Sequence, residues 1–188
     1  MIRRRKFLVY SLPGTKPCLQ TCPPGFEVER LTPRAVETLF RAEESLRTAF
    51  LKFLEQGFLG LVWHEKGEWA SYAWVAPSRS RGVPHLPAAV RKLGYPWVFY
   101  CQTREAHQRK GLFRASLGML AAWVREDEPR AEVFIDTEMD NLPSRRAILD
   151  AGFVPHGVVT TVSVAIPRVR LVAGQWDRHA PHVEGTNR

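Results

Sequence analysis

Short stretches of alternating or continuous apolar residues run through the first hundred positions, and each is about as long as a β-strand. Residues 26–31 alternate apolar and charged side chains, which is the pattern of a strand with one buried face. Continuous apolar runs predict further strands over residues 7–10, 58–63, 69–75 and 97–103. The polar segment 64–68 lies between two of these strands and predicts a hairpin.

A helical period begins after the strand at 26–31. Thr32 followed by Pro33 predicts a helix start, because a threonine hydroxyl caps the first free amides and proline fits the first helical position. The apolar spacing continues to Gly57 and fits either one long helix or two short ones. We interpret residues 77–94, which hold several proline, glycine and arginine residues, as an insertion over the sheet edge with a short helix inside it.

The second half of the chain alternates between strands and helices. Helical periods start at Gly111 and Asn141, and apolar or β-branched runs predict strands at 133–137, 153–162 and 168–172. Such alternation implies parallel pairing, whereas the meander before it implies antiparallel pairing. We therefore predict an α/β fold with a mixed, partly splayed sheet of about six to seven strands and helices on both faces.

The chain of 188 residues is long enough for one domain with a sizeable core. We expect an N-terminal strand and loop over residues 1–25, one domain over 26–173 and a flexible tail over 174–188. No apolar run reaches the roughly 18 residues of a membrane span. The run that follows the basic start is also too short for a signal peptide, so we expect a cytoplasmic protein without a membrane partner.

The cysteine count and the net charge narrow the choice of ligand. Three cysteines fit free thiols in a reducing compartment. No second Cys or His pair with zinc-like spacing accompanies Cys18 and Cys22, so we predict no metal site. The formal net charge of +8 attracts polyanions, but charge alone does not distinguish a nucleic acid from a small ligand with several phosphates.

The junction between the strand 97–103 and the helix that Gly111 opens has features of an anion site. The first amides of a helix lack intrahelical partners and lie at the positive end of its dipole. Gly111 has no side chain to block a ligand, and Arg109, Lys110 and Arg114 add positive charge. A glycine at such a junction is also often only a turn residue, so this segment alone leaves both interpretations open.

A second segment lies one strand and one helix downstream. Asn141 is suited to cap the helix that follows it, and Gly152 is suited to end that helix. These structural roles do not explain why the two residues occur together at this distance after Gly111.

The stretch 108–113 resembles the acetyl-CoA motif of the Gcn5-related N-acetyltransferases (GNAT), Gln/Arg-x-x-Gly-x-Gly/Ala. Gln108 and Gly111 match this motif. Phe113 departs from it, because a small residue is usual there. Its ring implies a more crowded helix start or a reshaped acyl pocket.

The stretch 141–153 resembles the second GNAT motif, and Asn141, Ser144, Gly152 and Phe153 match it. Many relatives carry a tyrosine, often proposed as the acid for the leaving thiolate, where this chain has Ile148. The sequence over 133–141 is also similar to acetyltransferases found near bacterial surface-polysaccharide genes.

The resemblance implies a GNAT-like sheet in which the strands 97–103 and 131–138 splay apart and admit the pantetheine arm of acetyl-CoA, the co-substrate. The arm would pair with main-chain groups like an added strand, and the pyrophosphate would lie on the first amides of the helix after Gly111. The cofactor-binding residues that the resemblance implies are Cys101, Gln102, Thr103, Gln108, Arg109, Lys110, Gly111, Leu112, Phe113, Asn141 and Ser144.

The activity that the resemblance implies is direct transfer of an acetyl group from acetyl-CoA to a primary amine, which needs a base near the amine. Glu138, at the carboxyl end of its strand, is our first candidate for this catalytic role, and Glu105 is the second. Water, Tyr100 or His107 can protonate the thiolate, or the thiolate leaves unprotonated. An acyl-enzyme on Cys101 is the alternative route, which the usual inertness of a buried strand thiol disfavours.

Two other functions fit the sequence. The missing tyrosine and the large Phe113 suit a catalytically weak acyl-CoA-binding sensor or scaffold, and the scattered arginines suit a polyanion-binding module. For the enzyme we expect a small-molecule or peptide amine as acceptor, no nucleic acid partner, and a monomer or homodimer. The basic surface favours an anionic acceptor, such as a nucleotide-linked amino sugar or an acidic peptide, over a polyamine.

Overall fold

The structure, a computed structural model, describes residues 2–18, 20–166 and 169–181. The strands of this part of the chain are β1 (Ile2–Leu12), β2 (Glu27–Arg30), β3 (Leu59–Glu65), β4 (Glu68–Ala76), β5 (Trp97–Thr103), β6 (Val133–Glu138), β7 (Val154–Ile166) and β8 (Val169–Asp177). The helices are α1 (Pro33–Leu39), α2 (Glu44–Glu55), α3 (Ala88–Arg91), α4 (Leu112–Asp127) and α5 (Leu142–Asp150). A turn of 3-10 helix spans Glu105–His107.

The eight strands form one mixed sheet in the order β2-β3-β4-β5-β6-β1-β7-β8. β5 and β6 are parallel, and the other neighbours are antiparallel. The mixed α/β fold is therefore confirmed, but with more strands than the six to seven we predicted. The strands at both ends of the described chain join the sheet, which adds to the count.

β1 lies in the interior of the sheet, between β6 and β7. It begins at Ile2, five positions before the apolar run that starts at Phe7, because residues 2–6 pair with β7, which in turn pairs with β8. The residues before position 26 thus contribute a strand to the same sheet. At the other end, β8 continues to Asp177, so residues 174–177 lie in a strand. Residues 182–188 of the predicted tail lie outside the described residues.

Helices cover both faces of the sheet, as predicted. α4 and α5 pack on one face through residues such as Leu112, Leu120 and Ile148. α1, α2 and the segment that contains α3 pack on the other face, where Phe40 and Phe50 are fully buried. We call these two surfaces the α4 face and the α2 face.

The local signals behind several elements are also confirmed. The Ala35 amide donates to the Thr32 hydroxyl over 3.2 Å and so caps α1. The helical period up to Gly57 resolves into two short helices, α1 and α2. The hairpin between β3 and β4 turns at Lys66 and Gly67, whose φ angles of 52° and 80° lie in the left-handed region. No helix in the described ranges is long and apolar enough to cross a membrane.

Candidate functional site

A β-bulge in β5 opens the sheet. The pairing of β5 with β4 shifts register around Tyr100, whose φ of 50° is uncommon for a residue other than glycine. A bulge bends its strand and increases the local twist. β5 and β6 then pair only where Trp97 and Val98 face the start of β6, although both strands continue further. The splay that the resemblance implied is therefore present.

A cleft of about 960 Å³ occupies the gap between β5 and β6. Its walls are the edge of β5, the loop and first turn of α4, the second half of β6 and the N-terminal turns of α5. The eleven residues that we predicted for cofactor binding all line this cleft: Cys101, Gln102, Thr103, Gln108, Arg109, Lys110, Gly111, Leu112, Phe113, Asn141 and Ser144. The fold thus brings the two motif segments together around one space.

The start of α4 presents free amides to this cleft. Gly111 is the N-cap with a φ of 80°, and the Ala115 amide is the first to donate back, to the Gly111 carbonyl over 3.0 Å. The amides of the three residues before Ala115 therefore have no intrahelical acceptor. A Cβ on Gly111 would have no atom within 4 Å, so the space in front of these amides is open.

The loop before Gly111 concentrates positive charge and is tied to β5. Arg109 has a φ of 63°, and its side chain and that of Lys110 are exposed at the rim of the cleft. The side-chain Nε2 of Gln108 donates to the Thr103 carbonyl over 3.4 Å, which links the loop to the end of the strand. A loop that contains a residue in the left-handed conformation, next to a helix N-terminus, is suited to bind phosphate oxygens.

Asn141 and Gly152 have the structural roles expected of them. The Asn141 side-chain oxygen accepts from the Ser144 amide over 3.2 Å and so caps α5. Gly152 follows α5 with a φ of 91°, and its amide donates to the Leu149 carbonyl over 2.9 Å. Asn141 is also exposed in the cleft wall, and its side-chain NH₂ group can donate two hydrogen bonds.

The two departures from the GNAT motifs both lie in the wall of the cleft. Phe113 is half-buried against the α4-face core, and Ile148 is fully buried. An aliphatic side chain at Ile148 has no proton to donate, so acid chemistry at this point of the cleft needs another group. Tyr100 and His107, our two candidates, both line the cleft.

Cys101 also lines the cleft, and its environment suppresses thiolate formation. Burial raises the pKa of the Cys101 thiol to about 12, and the nearby Asp136 carboxylate acts in the same direction. Because the thiolate is the nucleophilic form, this environment disfavours an acyl-enzyme on Cys101.

We expect iodoacetamide to alkylate exposed Cys22 in the native protein at pH 8 and to leave Cys101 unmodified. The raised pKa keeps Cys101 protonated, so its reactivity should increase only as the pH rises toward 12. Mass spectrometry of tryptic peptides measures both sites, and a sample in guanidinium chloride serves as the control in which Cys101 reacts. Labelling of native Cys101 as fast as Cys22 would contradict this account.

The two glutamates that we predicted as bases lie away from the cleft wall. Glu138 is exposed, and its carboxylate pairs with the Arg5 guanidinium at 3.4 Å. Glu105 is exposed on the 3-10 turn after β5. Neither side chain is among those that line the cleft. Their assignment as bases stays a prediction.

Two acidic residues line the cleft, and the sequence reasoning missed both: Asp150, exposed at the end of α5, and Asp136 in β6. Trp97 Nε1 donates to the Asp136 carboxylate over 2.6 Å, and His85 Nε2 lies 3.0 Å from each of its oxygens. The side chain of Asp136 is only 5% exposed. The sequence did contain a signal for Asp136, namely an acidic residue within the apolar run of β6. Carboxylates are seldom buried without partners, so such a residue indicates a polar site.

Solved structures give an independent view of the fold. An acetyltransferase of the GNAT family from Colwellia psychrerythraea is 12% identical with a TM-score of 0.60, and the match covers 94% of this chain and 57% of that chain. A tandem GNAT protein from the clavulanic acid biosynthesis pathway is 19% identical with a TM-score of 0.57, covering 80% of this chain and 50% of that chain. The chain thus spans little more than half the length of these two proteins.

A third similar structure is AAC(6')-Iy in complex with the bisubstrate analogue CoA-S-monomethyl-acetylneamine. It is 12% identical with a TM-score of 0.53, and the match covers 69% of this chain and 90% of that chain. The sequence matches no protein-family model and no curated protein. The chain therefore has the fold of the Gcn5-related N-acetyltransferases. The likeness to the surface-polysaccharide branch stays a prediction.

Proposed function

We propose that the chain is an acyl-CoA-dependent N-acyltransferase that moves an acetyl group from acetyl-CoA to a primary amine. One observation carries the proposal: the unpaired edge of β5 and the free amides of α4 face the same cleft. A strand edge binds an extended amide-containing chain, and a helix N-terminus binds phosphate. Coenzyme A combines these two chemical features in one molecule.

The residues present fit such a ligand. The main-chain groups of Cys101, Gln102 and Thr103 offer donors and acceptors for the pantetheine amides along the β5 edge. The open space at Gly111 admits a diphosphate to the amides of the first turn of α4, and Arg109 adds charge at the rim. The complex of AAC(6')-Iy with a CoA bisubstrate analogue supports this assignment by analogy of fold.

The proposed reaction needs few catalytic groups from the protein. The thioester of bound acetyl-CoA supplies an activated acyl group. A main-chain N–H at the β5 bulge can stabilise the negative charge that develops on the carbonyl oxygen. The cleft holds the two reactants together, which removes much of the entropic cost of their meeting. Glu138 and Glu105 remain candidates for the base, and water, Tyr100 or His107 for protonation of the thiolate.

We expect saturating CoA or acetyl-CoA to raise the melting temperature by about 5–10 °C at a hundredfold excess over Kd, since a ligand that binds only the native state stabilises it by mass action. Thermal shift with CoA, acetyl-CoA and longer acyl-CoAs measures binding, and thiol release in a pool of amines measures transfer. A melting temperature that none of these ligands changes would overturn the proposal.

A catalytically weak acyl-CoA-binding sensor or scaffold is the second candidate, because Ile148 and Phe113 occupy the cleft wall where the motif has a tyrosine and a small residue. For a sensor, thermal shift would be positive while no amine in the pool accelerates thiol release. For a polyanion-binding module, salt-sensitive retention on heparin would persist in the presence of CoA.

A further inference from the structure

The cleft is lined from both faces of the sheet. The motif segments and Ile148 line it from the α4 face, whereas Phe99, Tyr100 and Asp136 belong to the α2 face. A ligand held by the start of α4 therefore leaves the α2 face to a second reactant. The properties of that face indicate which kind of acceptor it suits.

The α2 side of the cleft carries a fixed carboxylate. Asp136 is held by Trp97 and His85, and the ring of Phe7 packs against His85 with 5.6 Å between the ring centroids. The same face carries Glu138 two positions further along β6, but Glu138 pairs with Arg5 and does not line the cleft. A carboxylate that is fixed in place can meet a cationic or hydrogen-bonding group without reorganising.

The α2 side of the cleft also has an aromatic wall. Tyr100 is 47% exposed, yet its ring is backed by that of Phe53 at 5.3 Å and stacked on that of Tyr72 at 6.0 Å with an interplanar angle of 21°. The positive φ of Tyr100 also fixes its backbone at the bulge. A supported aromatic surface beside a few polar groups is typical of a site for a ligand with an apolar body.

We propose, on the basis of the proposed function, that the acceptor is a primary amine with an aromatic or other apolar body. Its amino group reaches Asp136, and its body lies on the ring of Tyr100. The amine nitrogen attacks the thioester carbonyl carbon, and a C–N bond forms as the C–S bond breaks. The proton leaves the nitrogen for the Asp136 carboxylate, and the sulfur leaves with the bonding electron pair and takes a proton from water. The hydroxide that remains takes the proton from Asp136, which restores the carboxylate.

The test compares three probe amines with acetyl-CoA: 2-phenylethylamine, propylamine, which lacks the ring, and glucosamine 6-phosphate, which is anionic. We expect 2-phenylethylamine to have the highest kcat/KM. Asp136→Asn keeps the shape of the side chain and should lower kcat about 100-fold for both 2-phenylethylamine and propylamine. Tyr100→Ala should raise KM about tenfold for 2-phenylethylamine and leave KM for propylamine nearly unchanged.

Two comparisons make the result decisive. Tyr100→Phe retains the ring and should retain the preference for 2-phenylethylamine over propylamine. The CoA-dependent melting shift should persist in Asp136→Asn, whereas its absence from the wild-type protein would contradict the proposed function itself. The acceptor proposal is overturned if Asp136→Asn keeps the wild-type rate, if Glu138→Gln loses the rate instead, if glucosamine 6-phosphate is preferred, or if 2-phenylethylamine fails to bind the CoA complex in calorimetry.

Discussion

Gly111→Glu is expected to abolish the melting shift that coenzyme A produces. The new side chain would occupy the open space in front of the first turn of α4, and its carboxylate would repel a diphosphate. The φ of 80° at Gly111 adds a cost of about 1–2 kcal/mol for any side chain, so the variant should also melt somewhat lower without ligand. Differential scanning fluorimetry with and without CoA measures both effects.

Gly67→Glu is the matched control for this experiment. Gly67 also has a φ of 80°, and a Cβ there would likewise have no atom within 4 Å. It lies in the β3–β4 turn and not in the cleft wall. This control should therefore lose a similar amount of stability and keep the full CoA shift. An undiminished shift in Gly111→Glu would argue that CoA binds somewhere else.

Phe50→Ala should lower the free energy of unfolding by about 3–5 kcal/mol, which corresponds to a melting temperature lower by about 10 °C. Phe50 is fully buried at the centre of the aromatic cluster on the α2 face. Its ring centroid lies 4.8 Å from that of Phe40, 4.9 Å from that of Tyr72 and 5.1 Å from that of Trp74. Truncation leaves a cavity between α2 and the sheet that rigid aromatic neighbours fill poorly.

The effect of Phe50→Ala should be confined to stability and to the α2 side of the cleft, because Phe50 belongs to the α2-face core, contacts Tyr100 and does not line the cleft itself. The variant should therefore still bind CoA when binding is measured by calorimetry at a temperature well below its melting temperature. Leu149→Ala, at a position that is 46% exposed on α5, is the control and should change the stability by less than about 0.5 kcal/mol. Equal losses in the two variants would mean that the aromatic cluster is not the core of the α2 face.

Local signals in the sequence predicted the elements on the α4 side of the cleft, where we propose that coenzyme A binds. The apolar run of β5 was placed at Trp97–Thr103, which are its bounds in the structure. The helix after Asn141 begins as its cap predicts. These predictions succeeded because a cap, a glycine and an apolar period act on neighbouring residues.

The α2 side of the cleft, where we propose that the acceptor binds, depends on contacts between distant positions, and these have no local signal. Asp136 meets a histidine 51 residues earlier in the chain, at His85. β1 enters the interior of the sheet beside a strand that begins at Val133, more than a hundred residues away. The bulge at Tyr100 places a tyrosine at a positive φ, where the usual glycine or asparagine signal is missing. Pairing partners and bulges follow from the whole sheet, so single-sequence periodicity does not reveal them.

A crystal structure of the protein soaked with coenzyme A tests the central claim most directly. We predict density for the diphosphate against the main-chain nitrogens of Leu112 to Arg114, with the pantetheine running along the β5 edge from Cys101 to Thr103. Density for the nucleotide at any other surface, or a first turn of α4 covered by its own neighbouring side chains, would contradict the account.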